Sequence, residues 1–241
     1  MKLELELELI LIHLFELFAA LSGSYFWFKT KEQAIRPFVW YLWFVVVIET
    51  LAMYPYLYGR VDNTLINWLE HSFMRRNTWI YNIYDPGTIL LFWIFIKRNT
   101  HTKFSHKTIN VVFWLSFSFF VLYHVISGSF FKTIIEYDMA IFTIALFAMV
   151  LMYLRELVQS DEILNFYKSH VFYICIAMML FYICMTPLFF YNEYFSTINP
   201  DFIDFRRITL SVSNIILYSC YVFAFLFSLY HKKKLKLKKS L

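Results

Sequence analysis

Asn77-Thr78-Trp79-Ile80-Tyr81-Asn82-Ile83-Tyr84-Asp85-Pro86-Gly87-Thr88-Ile89-Leu90-Leu91-Phe92-Trp93-Ile94-Phe95-Ile96 is the stretch on which the fold turns. Its second half is an unbroken apolar run, while Asn82, Asp85, Pro86 and Gly87 interrupt the first. If it crosses a membrane the chain has seven spans and its two ends lie on opposite sides. If it does not, the count falls to six and the N-terminus changes side. Proline and glycine are tolerated in membrane helices when neighbours satisfy the freed backbone groups, so crossing is expected.

Working outward from it, apolar stretches of membrane-spanning length fill the chain: 8–28, 38–58, 77–96, 109–128, 133–154, 171–191 and 208–230. A helix of about 20 apolar residues matches the hydrocarbon thickness of a bilayer. With 60% hydrophobic residues, 16% charged residues and a mean hydropathy of +0.56, the 241 residues have no soluble way to bury their apolar surface. The expected fold is therefore all-α, a polytopic bundle of seven transmembrane helices. Residues 1–230 make one membrane domain, and 231–241 a basic tail.

Orientation follows from lysine and arginine. With the N-terminus outside, the cytoplasmic side holds 3 in 29–37, 4 in 97–107, 2 in 155–170 and 6 in the tail, which is 15 against 7 outside. The C-terminus is then cytoplasmic, and Lys232, Lys233, Lys234, Lys236, Lys238 and Lys239 anchor it to anionic headgroups. This placement beside a span, rather than along a soluble face, argues against nucleic acid as the partner of a chain with pI near 8.9.

The opening Lys2-Leu3-Glu4-Leu5-Glu6-Leu7-Glu8-Leu9 alternates with period two, a strand pattern. A lone strand would lack a pairing partner there, whereas carboxylates suit the positive end of a helix. The segment is expected to lead into the first helix. A cleaved signal peptide ending near Ala19-Ala20-Leu21-Ser22 is disfavoured by the early glutamates and by Glu16. Leu65, Ile66, Leu69 and Phe73 recur at helical spacing around Trp68, the pattern of a short helix lying in the interface, with a solvated loop as the alternative. Cys175, Cys184 and Cys220 sit in apolar spans and read as small hydrophobes, the first two on opposite faces of one helix.

Ionisable residues inside a membrane are costly and mark functional candidates. At a rise of about 1.5 Å per residue, Glu16, Glu49 and Asp85 come from three helices to one level, roughly 12 to 14 Å below the outer surface. His13 and His124 lie roughly 6 to 8 Å deep and Asn214 near 9 Å, by the same rule. Together these six form the candidate ligand-binding set. Each also has a plainer role: His13 and Glu16 as a hydrogen-bonded pair three residues apart, Asp85 as a turn or cap, His124 as a packing residue. Glu136 and Asp138 are close enough to the surface to be interfacial charges. The inner halves of the spans contain no carboxylate or histidine, and such asymmetry suits a cavity open outward better than a path across the membrane.

Other chemistries lack their motifs. No Glu-x-x-His pairs appear, so a di-iron bundle is not indicated and no metal or other cofactor is expected. The seventh span has no lysine for a retinal Schiff base. There is no Gly-x-Ser-x-Gly, His-Glu-x-x-His or phosphate-binding glycine loop, and the reading is that this is not an enzyme.

The Asn77–Pro86 segment, with Leu154-Arg155-Glu156-Leu157, Val171-Phe172-Tyr173-Ile174, Pro187-Leu188-Phe189-Phe190 and Ser213-Asn214-Ile215-Ile216-Leu217-Tyr218, resembles a family of uncharacterised bacterial seven-helix membrane proteins. Similar segments occur as membrane input regions of sensor histidine kinases. The resemblance implies a multi-pass protein of the bacterial inner membrane with a sensory role. The expected function is a receptor-like module that binds a small molecule in the outer half of the bilayer and signals through a cytoplasmic or membrane partner. A transporter or channel subunit working as a homo-oligomer, and a scaffold subunit of a membrane complex, stay open as alternatives.

Overall fold

The structure, a computed structural model, describes residues 2–132, 138–195 and 200–239, and the side chains of 7–132, 140–188 and 201–234. Glu136 lies outside the described residues, and of Asp138, Lys236, Lys238 and Lys239 only the backbone is described. The helices are α1 Lys2–Thr30, α2 Arg36–Ala52, α3 Thr64–His71, α4 Thr78–Arg98, α5 Lys103–Ser127, α6 Asp138–Gln159, α7 His170–Phe195 and α8 Pro200–Lys239. Short 3-10 turns cover Tyr54–Leu57 and Asp161–Lys168.

The interrupted stretch is helical throughout, as α4. Pro86 removes one backbone donor inside it, yet the helix continues to Arg98. Gly87 serves packing: a Cβ there would stand 2.5 Å from Cζ of Phe44 on α2, so only glycine lets that ring seat. The seated ring lies parallel to Tyr84 at 6.2 Å, one turn earlier on α4. Local sequence also sets the ends. Pro37 opens α2, Thr102 caps α5 by accepting from Ser105 N, and Gly128 stops α5 in the left-handed region at φ 57°.

Seven helices, all but α3, are long and apolar enough to cross a membrane. The period-two opening is helix rather than strand, because α1 already begins at Lys2. Two ion pairs fix the first helix against the last. Glu8 accepts two hydrogen bonds from Arg207 Nη1, each at 2.9 Å, and Glu32, just past α1, pairs with Lys232. Start meets start and end meets end, so α1 and α8 run parallel and the chain termini lie at opposite ends of the bundle. We call these ends the N-terminal face and the tail face.

Neighbouring helices close a ring in the order α1, α2, α4, α6, α7, α8 and back to α1. The fifth helix stands outside it, packed in the groove between α4 and α6 and, among the described residues, against no other helix. Its outward side chains Leu115, Val125 and Ile126 are 69%, 73% and 81% exposed, as a lipid-facing surface requires. Cys175 is buried and Cys184 exposed on opposite faces of α7. On α3, Asn63 caps the helix at Leu65 N, while Leu65 and Trp68 remain exposed, the disposition of a surface-lying helix.

The helices reach further toward the tail face than the apolar stretches suggest. α6 runs on to Gln159 and carries Glu156; α7 begins at His170, which is 8% exposed. Both groups lie just beyond the apolar stretches 133–154 and 171–191, on helical ends that hydropathy does not include. A helix continues through a polar residue when caps and neighbours hold its terminal groups, and hydropathy does not register those. Glu156 accepts from the backbone N–H groups of His101 at 2.6 Å and Thr102 at 2.8 Å, tying α6 to the start of α5.

A buried cluster of acids and tyrosines

Between these two ends the stretches 8–28, 38–58, 77–96, 109–128, 133–154, 171–191 and 208–230 contain no lysine or arginine, and the ionisable groups deep in the first three are Glu16, Glu49 and Asp85. Glu16 on α1 is 4% exposed. His13, one turn nearer the N-terminal face, has Nδ1 at 3.0 Å from Glu16 Oε2. Its other nitrogen, Nε2, lies 3.1 Å from the hydroxyl of Thr50 on α2.

The hydroxyl of Thr50 also sits 2.6 Å from the carbonyl of Val46, which can only accept, so the single hydroxyl hydrogen goes there. Thr50 must then accept from His13 Nε2–H. Nδ1 and Glu16 are left with one proton between them, on an imidazolium or on the carboxylic acid. The His13–Glu16 line is therefore a proton-sharing contact by geometry.

Glu49, the residue before Thr50, accepts from the hydroxyl of Tyr81 at 3.3 Å. Tyr218 on α8 and Glu49 on α2 both lie within electrostatic reach of Glu16. Around them Tyr84 approaches Tyr41, Tyr182 approaches Tyr84, and Tyr221 donates to Met178 Sδ at 2.6 Å. Each buried hydroxyl with a partner avoids the penalty of an unsatisfied polar group. Thr50 is exposed and His13 half-buried, so the cluster reaches the molecular surface at the α1–α2 edge toward the N-terminal face.

Toward the tail face the interior closes. The ring of Phe38 meets Tyr41 at 5.4 Å, Phe95 at 5.1 Å, Tyr221 at 5.0 Å and Phe225 at 6.2 Å. Phe26 extends the block from α1 at 5.5 Å from Phe225. Phe26, Phe38, Phe95, Tyr221 and Phe225 have no solvent exposure. Together these rings form an apolar block, shielded from solvent, on the tail side of the cluster.

Of the six residues expected to bind ligand, the structure brings together His13, Glu16 and Glu49. Asp85 is half-buried inside continuous helix, not at a turn or cap, one turn beyond Tyr81 on the same side of α4. Asn214 donates to the carbonyl of Leu210 at 2.9 Å, one turn before Tyr218 on α8. His124 is set apart: its helix, α5, touches neither α1 nor α2 among the described residues, and its ring packs against Tyr123 and Phe130. The tyrosines and Thr50 escaped the sequence reading. Their signal was Asn214, Tyr218 and Tyr221 at helical spacing, a polar stripe on an apolar helix.

Two pockets lie elsewhere, about 440 Å³ between the Tyr54–Leu57 turn and the start of α4, and about 390 Å³ on the outward side of α1 and α8. The chain matches no family model, no curated protein and no solved structure.

Proposed function

We propose that the protein is a receptor-like membrane module whose Glu16–Glu49 cluster takes a small cationic molecule from the N-terminal face, which we place outside the cell. One observation carries this reading: the polar cluster opens at the α1–α2 edge and is closed beneath by packed aromatic rings. Two carboxyls rimmed by tyrosines, with no lysine or arginine in the apolar stretches, present the surroundings a positive group prefers. Bound charge would act on Glu16 and hence on Tyr218, moving α8, the helix that continues to the tail. Output through a partner at the tail face accords with the sensory resemblance of the Asn77–Pro86 motif, as does a location in the bacterial inner membrane.

Alkylammonium ions, from methylammonium to tetramethylammonium, test this by thermal stabilisation of the purified protein. At least one should raise the unfolding temperature of the wild type and none that of E16Q/E49Q. Equal shifts in both would overturn the reading. The shared proton of His13 and Glu16 favours a second possibility, proton-coupled transport, in which the aromatic layer opens during a cycle. Robust alkylammonium flux in proteoliposomes, driven by a pH gradient, would establish it and displace the receptor.

A further inference from the structure

The pocket beside the start of α4 is lined by Pro55, Tyr56 and Tyr58 on one side and Arg75, Arg76, Asn77 and Thr78 on the other. Its far wall is tied by side chains to the end of α2 and the turn that follows it. Tyr58 donates to the carbonyl of Arg75 at 3.1 Å, Tyr54 to that of Met74, and Asn77 Nδ2 to that of Ala52 at 2.9 Å. The backbone of the arginine pair is therefore anchored to the end of α2. The guanidiniums are not anchored: both arginines are exposed, and among the described residues neither makes an ion pair or a side-chain hydrogen bond.

Two adjacent free guanidiniums on a fixed backbone, at the rim of a cavity of about 440 Å³, supply planar paired donors for an oxyanion. Asn77 precedes α4 without capping it through its side chain, and it lines the same wall with Thr78, the first residue of that helix. Glu70, at the end of α3, lies within electrostatic reach of Tyr58 and opposes an anion there.

We infer that this pocket is an oxyanion site at the N-terminal face, in which Arg75 and Arg76 hold a phosphate group. The phosphate belongs either to a lipid headgroup, with α3 lying at the interface beside it, or to a free solute. It is separate from the Glu16–Glu49 cluster and takes the opposite charge.

The test uses the full chain in nanodiscs of phosphatidylcholine, titrated with inorganic phosphate and followed by phosphorus NMR. In parallel, retention of phosphatidylglycerol over phosphatidylcholine is read by native mass spectrometry. R75Q/R76Q should weaken binding about tenfold or more, R75K/R76K by less because lysine keeps charge without the fork, and E70Q should tighten it. K132Q, another exposed cation, should change nothing. Phosphate binding without lipid retention identifies a solute site, and lipid retention without phosphate binding a headgroup site. Binding in neither arm, binding undiminished in R75Q/R76Q, or an equal loss in K132Q would overturn the inference.

Discussion

Glu16 and Glu32 are carried by the same N-terminal segment of chain, and they are treated in opposite ways. At the tail face Glu32 has a permanent cation, Lys232, and a second neighbour in His170 at 3.5 Å. Lys232 also stands over the ring of Phe26 at 5.0 Å, while Phe26 meets the His170 ring at a tilt, 4.6 Å between centroids. This lysine is therefore a clasp between α1, α7 and α8, leaving Lys233 and Lys234, both exposed, as described candidates for headgroups. Deeper in the bundle Glu16 has only an imidazole and a phenol. A carboxylate with a fixed counter-charge is structural; one without is available to a guest.

On that contrast the largest effect belongs to the deeper pair. E16Q/E49Q should remove about 2–5 kcal/mol of alkylammonium binding, the cost of deleting a buried charge partner, and leave the fold intact. E32Q should bind as the wild type does. Calorimetry on the three proteins reads both statements.

Packing gives the next largest effect. G87A puts a methyl against Phe44 and disturbs the Phe44–Tyr84 pair, so it should destabilise by about 1–3 kcal/mol in detergent melts. F44L should relieve part of that loss when added to G87A. Absence of any rescue would mean that the glycine serves something other than this contact.

Smaller is the removal of one donor. Y218F removes the phenol hydroxyl that faces Glu16 and should cost about 1 kcal/mol, with the same sign in stability and in binding. The smallest change should come from K232M. The Glu32 and Lys232 side chains are 36% and 37% exposed, so the clasp is worth about 0–1 kcal/mol, falling further in high salt. A larger loss from K232M than from Y218F would reverse the ranking of the two regions.

Much of the architecture was legible from apolar length alone, because a bilayer sets that length whatever the neighbours do. Even Asp85-Pro86-Gly87 was readable as a crossing, though the reason, a glycine that admits Phe44, was not. Partner choice was hidden: nothing in Lys103–Ser127 distinguishes a helix outside the ring from one within it, so His124 looked equivalent to His13. The acids were visible as charges in apolar runs. The tyrosines were not, since a phenol in a lipid-facing position and one facing Glu16 look alike in a chain rich in both Phe and Tyr. His170 and Glu32 were missed because both fall outside stretches chosen by hydropathy.

The seam between the first and last helices joins groups 199 and 200 residues apart in sequence. During synthesis, α1 must enter the bilayer with Glu16 and one flank uncovered until α8, some 200 residues later, has been made. A chain halted before α8 would keep that acidic flank exposed to lipid, a mark by which membrane proteases could tell an unfinished molecule from a completed one.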